Sequence, residues 1–135
     1  MEDKSQKFGV NAGKIWVALN TLGPLDQPSL IKKTKLSNND FYAAIGWLAR
    51  ENKIYKEGNY YRLGETNLTN KIGENAGKIW RTLNSHGEVN ISSIAKMTKI
   101  TTVDAYSALG WLARENKIEA KKSNLKPNIM QYTLK

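Results

Sequence analysis

The chain has 135 residues and a formal net charge of +9, from 21 Lys or Arg against 12 Asp or Glu. It contains no cysteine, which excludes disulfides, thiolate metal sites and cysteine nucleophiles. No apolar run approaches the roughly 18 residues that a membrane span needs, and the N-terminus has no hydrophobic signal segment. These features favour a cytoplasmic protein whose partner is a polyanion, nucleic acid before membrane.

The sequence contains the same unit twice. Gly46–Ile54 recurs letter for letter 64 residues later as Gly110–Ile118, and Asn11–Trp16 recurs at the same shift. Over residues 11–54, 25 of 44 positions match without a gap, which indicates a tandem duplication. We predict one lobe at 7–63, a linker at 64–70 and a second lobe at 71–135. Each lobe carries its own excess of basic residues.

The first helix of each lobe is predicted from apolar residues at i, i+3, i+4 and i+7. Ala12, Ile15, Trp16 and Leu19 form this pattern in copy one, and Gly23 follows as a stop signal. Copy two repeats the pattern with Ala76, Ile79, Trp80, Leu83 and Gly87. We expect both tryptophans to lie in the core and residues 1–8 to form a frayed leader.

A short extended piece and a second helix, near residues 29–35 and 93–99, precede the third helix. Ser37 with Asp40, and Thr101 with Asp104, have the capping-box spacing at its start. The predicted inward residues of the third helices are Phe41, Ile45, Leu48, Ala105, Leu109 and Leu112. Asn52 and Asn116 are expected to end these helices in a left-handed conformation.

A β-hairpin follows each third helix. In copy one, two β-prone arms surround Gly58 and Asn59 over residues 54–63. In copy two the corresponding loop is seven residues longer and more basic. The predicted fold is therefore mainly α with small β-hairpins, an α+β protein of two similar lobes.

Helix, short strand, helix, turn, capped helix and hairpin is the element order of a winged helix-turn-helix domain. The segments Ala-Gly-Lys-Ile-Trp and Gly-Trp-Leu-Ala-Arg-Glu further resemble a small prokaryotic winged-helix family catalogued as a domain of unknown function. The resemblance covers nearly all of both copies. It implies a tandem winged helix-turn-helix protein that binds double-stranded DNA, with the third helix in the major groove and the wing on the backbone or minor groove.

The resemblance transfers DNA-binding roles to residues of the second helix, the third helix and the wing. In copy one these residues are Lys32, Lys33, Lys35, Asn38, Asn39, Tyr42, Ala43, Gly46, Arg50, Lys53, Lys56 and Arg62. In copy two they are Lys96, Lys99, Thr101, Thr102, Tyr106, Ser107, Gly110, Arg114, Lys117, Lys121, Lys122 and Lys126. The residues assigned to the outward face of the third helix are Asn38, Asn39, Tyr42, Ala43, Gly46, Arg50 and Lys53 in copy one. In copy two they are Thr101, Thr102, Tyr106, Ser107, Gly110, Arg114 and Lys117.

These residues favour weak or shape-based sequence specificity. Base edges are read best by Arg, Lys, Asn or Gln, and the start of the third helix offers only Asn38 and Asn39 in copy one. Copy two has threonines there, while positive charge flanks the helix where phosphates would lie. We expect a transcriptional regulator or an architectural, nucleoid-associated protein.

A protein-interaction adaptor is the alternative function, because a winged-helix fold does not fix function. Gly46 and Gly110 lie in mid-helix at a cost of about 1 kcal/mol relative to alanine. Either DNA or another helix approaches there, or the chain's own wing packs on that face. Trp47 and Trp111 either pack within the lobe or lie between lobes or chains, and the latter predicts a homo-oligomer or a protein partner.

No catalytic constellation appears in the sequence. Paired carboxylates, phosphate-binding glycine loops and metal-spaced clusters are all missing, and the single histidine, His86, has Leu22 as its counterpart. We therefore expect His86 to be a surface residue, and we predict neither enzymatic activity, a metal nor a cofactor.

Overall fold

The computed structural model describes residues 3–125 and 129–135. In the first lobe, α1 (Gln6–Leu22), β1 (Leu25–Asp26), α2 (Gln27–Thr34) and α3 (Asn38–Arg50) precede β2 (Ile54–Glu57) and β3 (Tyr60–Leu63). The second lobe repeats the order with α4 (Thr69–His86), β4 (Val89–Asn90), α5 (Ile91–Thr98), α6 (Thr102–Arg114), β5 (Ile118–Lys122) and β6 (Met130–Leu134). Two antiparallel sheets, ordered β1-β3-β2 and β4-β6-β5, complete the predicted α+β fold.

Local sequence signals set the ends of the third helices. The side-chain oxygens of Ser37 and Thr101 accept hydrogen bonds from the backbone N–H groups of Asp40 and Asp104, each at 3.1 Å. Asn52 and Asn116 adopt left-handed backbone angles with φ of 60°. Both predictions are confirmed, and both follow from residues that satisfy or terminate a helix locally.

The core residues of α3 and α6 are buried as predicted, and so are Ala12, Ile15 and Leu19 of α1. The prediction for Trp16 and Trp80 is wrong, because each is 38% exposed. Trp16 lies at the rim of the inward face of α1, where it lines a shallow cleft with Trp47 instead of entering the core. Periodicity identifies the face of a helix but does not distinguish its centre from its edge.

The two lobes pack through α3 and α6. Gly46 lies so close to α6 that a β-carbon added to it would overlap the carbonyl oxygen of Ser107. Gly110 meets the carbonyl oxygen of Ala43 in the same way. These contacts are reciprocal under the 64-residue shift, so the lobes form an internal dimer with approximate two-fold symmetry. The element that packs against Gly46 or Gly110 is therefore the third helix of the other lobe of the same chain.

The N-terminal segment packs on the second lobe, so the prediction of a frayed leader is wrong for residues 3–8. The Asp3 carboxylate accepts the Ala120 N–H at 3.1 Å, Lys4 N–H donates to the Ala120 carbonyl at 2.6 Å, and Phe8 joins the core of that lobe. The linker between the lobes makes the equivalent contacts with the first lobe. Asn67 pairs with both backbone groups of Lys56, and Ile72 enters the first core.

Gly46→Ala is expected to destabilise the protein, because the new methyl group meets the backbone of α6. Overpacking of this kind costs about 1–3 kcal/mol or more. Gly13→Ala is the matched control, since a β-carbon at this helical position meets nothing within 4 Å. The control should raise stability by up to about 1 kcal/mol. Urea unfolding of both variants tests the lobe contact, and equal stability of the two would contradict it.

Attachment of the N-terminal segment is expected to weaken in acid. Burial raises the pKa of Asp3, but hydrogen bonds from Ser5 and Ala120 and the charge of Lys135 outweigh it and hold the pKa below the ordinary 3.8. The carboxylate therefore stabilises the segment above pH 3.8, and this contribution is lost as pH falls through the lowered pKa.

Hydrogen exchange of the Ala120 amide, corrected for its intrinsic pH dependence, measures this loss. The Lys56 amide is an internal control, because its acceptor is the amide oxygen of Asn67, which does not titrate. Loss of protection at Ala120 but not at Lys56 is the expected result. Parallel behaviour of the two amides would assign the change to general acid unfolding.

Candidate nucleic-acid interface

Five of the predicted DNA-binding lysines lie on the second helices or at their ends. These residues are Lys32, Lys33, Lys35, Lys96 and Lys99, and all five are exposed. Within residues 3–125 and 129–135, none of them forms an ion pair with an acidic group. Each second helix begins with a side-chain cap, from Asp26 or Asn90, and buries only Leu30 or Ile94. The lysines therefore form a charged outer face.

Lys35 and Lys99 occupy a backbone conformation that favours glycine. Their φ angles are 59° and 61°, and each ends its helix with a backbone N–H bonded to the preceding turn. A non-glycine residue in this region costs about 1–2 kcal/mol. Both copies have lysine at this position, so both carry a positive charge where glycine would be less strained. A cation here also suits the negative end of the helix dipole.

A groove between α2, the start of α3 and the wing brings together three predicted residues. Lys32 from α2, Asn38 from α3 and Lys56 from β2 line it, and Tyr61 is also part of its wall. The Lys56 ammonium lies 5.7 Å from the centre of the Tyr61 ring. Two cations and an amide share this concave surface with the Asp26 carboxylate, which accepts the Ser29 N–H at 2.9 Å as a helix cap. The lysines and the amide suit a phosphate beside a polar base edge.

Within the described residues, the third helices are exposed at their first turns and at their last residues, Arg50 and Arg114, but not in between. Asn38, Asn39, Thr101 and Thr102 are exposed. The predicted residues Tyr42 and Tyr106 are half-buried, and the Tyr42 hydroxyl accepts a hydrogen bond from Gln27 at 3.0 Å.

Burial raises the pKa of the Tyr106 hydroxyl, and the Asp40 carboxylate raises it further. Because Asp40 lies in the first turn of α3, the start of this helix is near the second lobe.

The predicted outward exposure of Ala43, Gly46, Ser107 and Gly110 is wrong. All four are buried in the contact between α3 and α6. Their small side chains are explained by close approach of the two helices, which leaves no room for DNA at the middle of either helix in this arrangement of the lobes. The same contact occupies the surface on which the adaptor alternative depends.

Arg50 and Arg114 take part in the lobe contact. The Arg50 Nε lies 3.0 Å from Glu115 Oε2, and the Arg114 Nε lies 2.9 Å from Glu51 Oε2. The two guanidinium groups lie over Trp111 and Trp47, at 5.6 and 5.9 Å from the ring centres.

The two tryptophans thus take part in contacts between the lobes. Each also packs within its own lobe, Trp47 against Gly9 of α1 and Trp111 against Gly73 of α4. Lys53 and Lys117 are exposed and lie 3.7 and 3.4 Å from Glu51 and Glu115.

The two wings present different charges. Arg62 is exposed and its guanidinium lies 4.0 Å from the Tyr55 ring centre. In the second wing, Lys121 is half-buried and pairs with Glu119 at 3.3 Å, whereas Lys122 is exposed. The counterpart of Lys56 is the buried Ala120. Lys126, a predicted DNA-binding residue, lies outside the described residues.

Other kinds of site receive no support from the part of the chain that the structure describes. It contains no group of three or more His, Asp or Glu side chains arranged to hold a metal ion. None of its helices is long and apolar enough to cross a membrane. His86 is exposed, as predicted.

Three helices, a capped third helix and a three-stranded sheet with a hairpin wing define each lobe as a winged helix-turn-helix domain, a class that typically binds DNA and is non-enzymatic. A family model described as winged helix-turn-helix domain (DUF2582) matches residues 1–63 and 67–131. The chain belongs to this family and contains its domain twice. No curated protein and no solved structure matches the chain.

Proposed function

We propose that this protein binds double-stranded DNA mainly through phosphate contacts, as a transcriptional regulator or an architectural protein of the nucleoid with weak or shape-based specificity. The carrying observation is the set of exposed lysines on the second helix of each copy, which form no ion pair within residues 3–125 and 129–135. Lys32 and Lys35 have Lys96 and Lys99 as their counterparts. Lysines at phosphates give affinity and register without reading sequence.

Burial of the middle of α3 and α6 supports weak specificity. A recognition helix reads bases chiefly with its N-terminal residues, and here those residues are asparagine in one copy and threonine in the other. Neither copy has an arginine at the start of its third helix that could bind guanine through two hydrogen bonds. The internal dimer also fixes the distance between the two accessible helix ends, so the protein engages DNA as one unit.

The combined variant Lys32→Glu and Lys96→Glu is expected to weaken DNA binding and lower its salt dependence. Loss of two phosphate contacts should reduce the log-log salt slope by about 2. Lys14→Glu with Lys78→Glu is the matched control, because it makes the same charge change in both copies on α1 and α4. Fluorescence anisotropy with random and AT-rich duplexes of equal length measures both. Equal losses in the two variants would reject a localised interface.

Lys35→Gly with Lys99→Gly is expected to separate stability from binding. Glycine relieves the left-handed strain, so the free energy of unfolding should rise by about 1 kcal/mol or more. DNA affinity should fall because two phosphate-binding charges are lost. Urea unfolding and anisotropy on the same preparation give both values. Unchanged affinity in the stabilised variant would show that these lysines do not contact DNA.

A further inference from the structure

Helix α1 has an apolar face that points to solvent in addition to the one that it buries. Val10, Val17 and Leu22 are 62%, 58% and 50% exposed, and they line an open groove between α1 and α2 with Gly13 and Lys14. A surface helix is normally polar on the face opposite its core stripe. An apolar outer face of this kind indicates a contact that the described part of the chain does not make.

The second copy shows that the fold does not need this face. The counterparts of Val10, Val17 and Leu22 are Glu74, Arg81 and His86, which are all exposed. Helices α1 and α4 otherwise make the same core contacts, through Ile15 and Leu19 or through Ile79 and Leu83. The apolar residues are therefore specific to the first lobe and are not required for packing of a winged-helix domain.

The charge around the groove identifies the occupant that fits it. Helices α1 and α2 together contain four lysines and no aspartate or glutamate. Lys14 and Lys33 lie on the groove itself and are exposed. Docking of a second copy through the same face would bring these lysines against their equivalents, which is unfavourable. A partner with acidic flanks would neutralise them.

We propose that the α1–α2 groove of the first lobe binds an acidic amphipathic helix of another protein. The groove extends from Val10 to Leu22, about 18 Å along α1, which matches three turns of a partner helix. The aliphatic side chains supply the contact for the partner's apolar stripe, as in helix-in-groove recognition. Lys14 and Lys33 meet its acidic flanks. This groove shares no lining residue with the groove of Lys32, Asn38 and Lys56. It does include Lys33, one of the lysines assigned to DNA, but the proposal does not rest on DNA binding.

A synthetic peptide of about 14 residues with leucines at i, i+4, i+7 and i+11 and glutamates on both flanks is the probe. Its anisotropy with the full chain should show saturable binding, and the same peptide with lysine flanks should bind at least tenfold more weakly. Nuclear magnetic resonance shift changes should centre on α1 and α2, not on α4 and α5. No binding, or equal binding of the two peptides, would overturn the proposal.

Val17→Arg introduces the residue that the second copy carries and should weaken peptide binding about tenfold or more. Arg81→Ala at the equivalent position of α4 is the control and should have no effect. Both positions are exposed, and circular dichroism verifies the fold. If Val17→Arg instead converts a wild-type dimer into a monomer, the occupant is a second copy. If duplex DNA competes with the peptide and the substitution weakens DNA binding, the face belongs to the DNA interface. Either result rejects the partner helix.

Discussion

The contact between α3 and α6 is the constraint on which the rest of the structure depends. Two glycines place the helix backbones so close that each meets a carbonyl oxygen of the other lobe. Side chains around this contact form further contacts between the two lobes. Arg50 and Arg114 turn to glutamates across the junction, and Trp47 and Trp111 contact residues of both lobes' cores. The face that a winged-helix domain usually presents to DNA is thereby divided into a buried middle and an accessible end.

Much of the fold could be predicted from the sequence because its determinants are local. The caps at Ser37 and Thr101, the left-handed asparagines and the core positions of α3 each depend on a few neighbouring residues. The lobe contact depends on residues 64 positions apart, and a single copy contains no information about its partner surface. Gly46 and Gly110 signalled a close approach, but the same signal fits DNA, a wing or a helix.

The sequence predicted the exposure of some residues of the candidate site correctly and of others wrongly. Transfer from the winged-helix class identified the lysines of α2 and α5, which are exposed, and also Ala43 and Ser107, which are buried. The difference arises because charge pattern indicates solvent exposure directly, whereas small residues suit an interface of any kind. Asp3 and Phe8 were missed since a short polar leader has no periodicity. Asp3 aligns with Asn67 under the 64-residue shift, and this alignment was the available signal that the leader belongs to the repeated unit.

The exchange of segments between lobes has a consequence for synthesis on the ribosome. Phe8 belongs to a core whose other members extend to Tyr132, and Asp3 binds a strand that begins at Ile118. Residues 3–8 can therefore reach their final positions only after the chain has been synthesised as far as Tyr132. Domains often fold in order of emergence during translation. In this protein, each lobe can complete its core only after the exchanged segment of the other lobe has also been made.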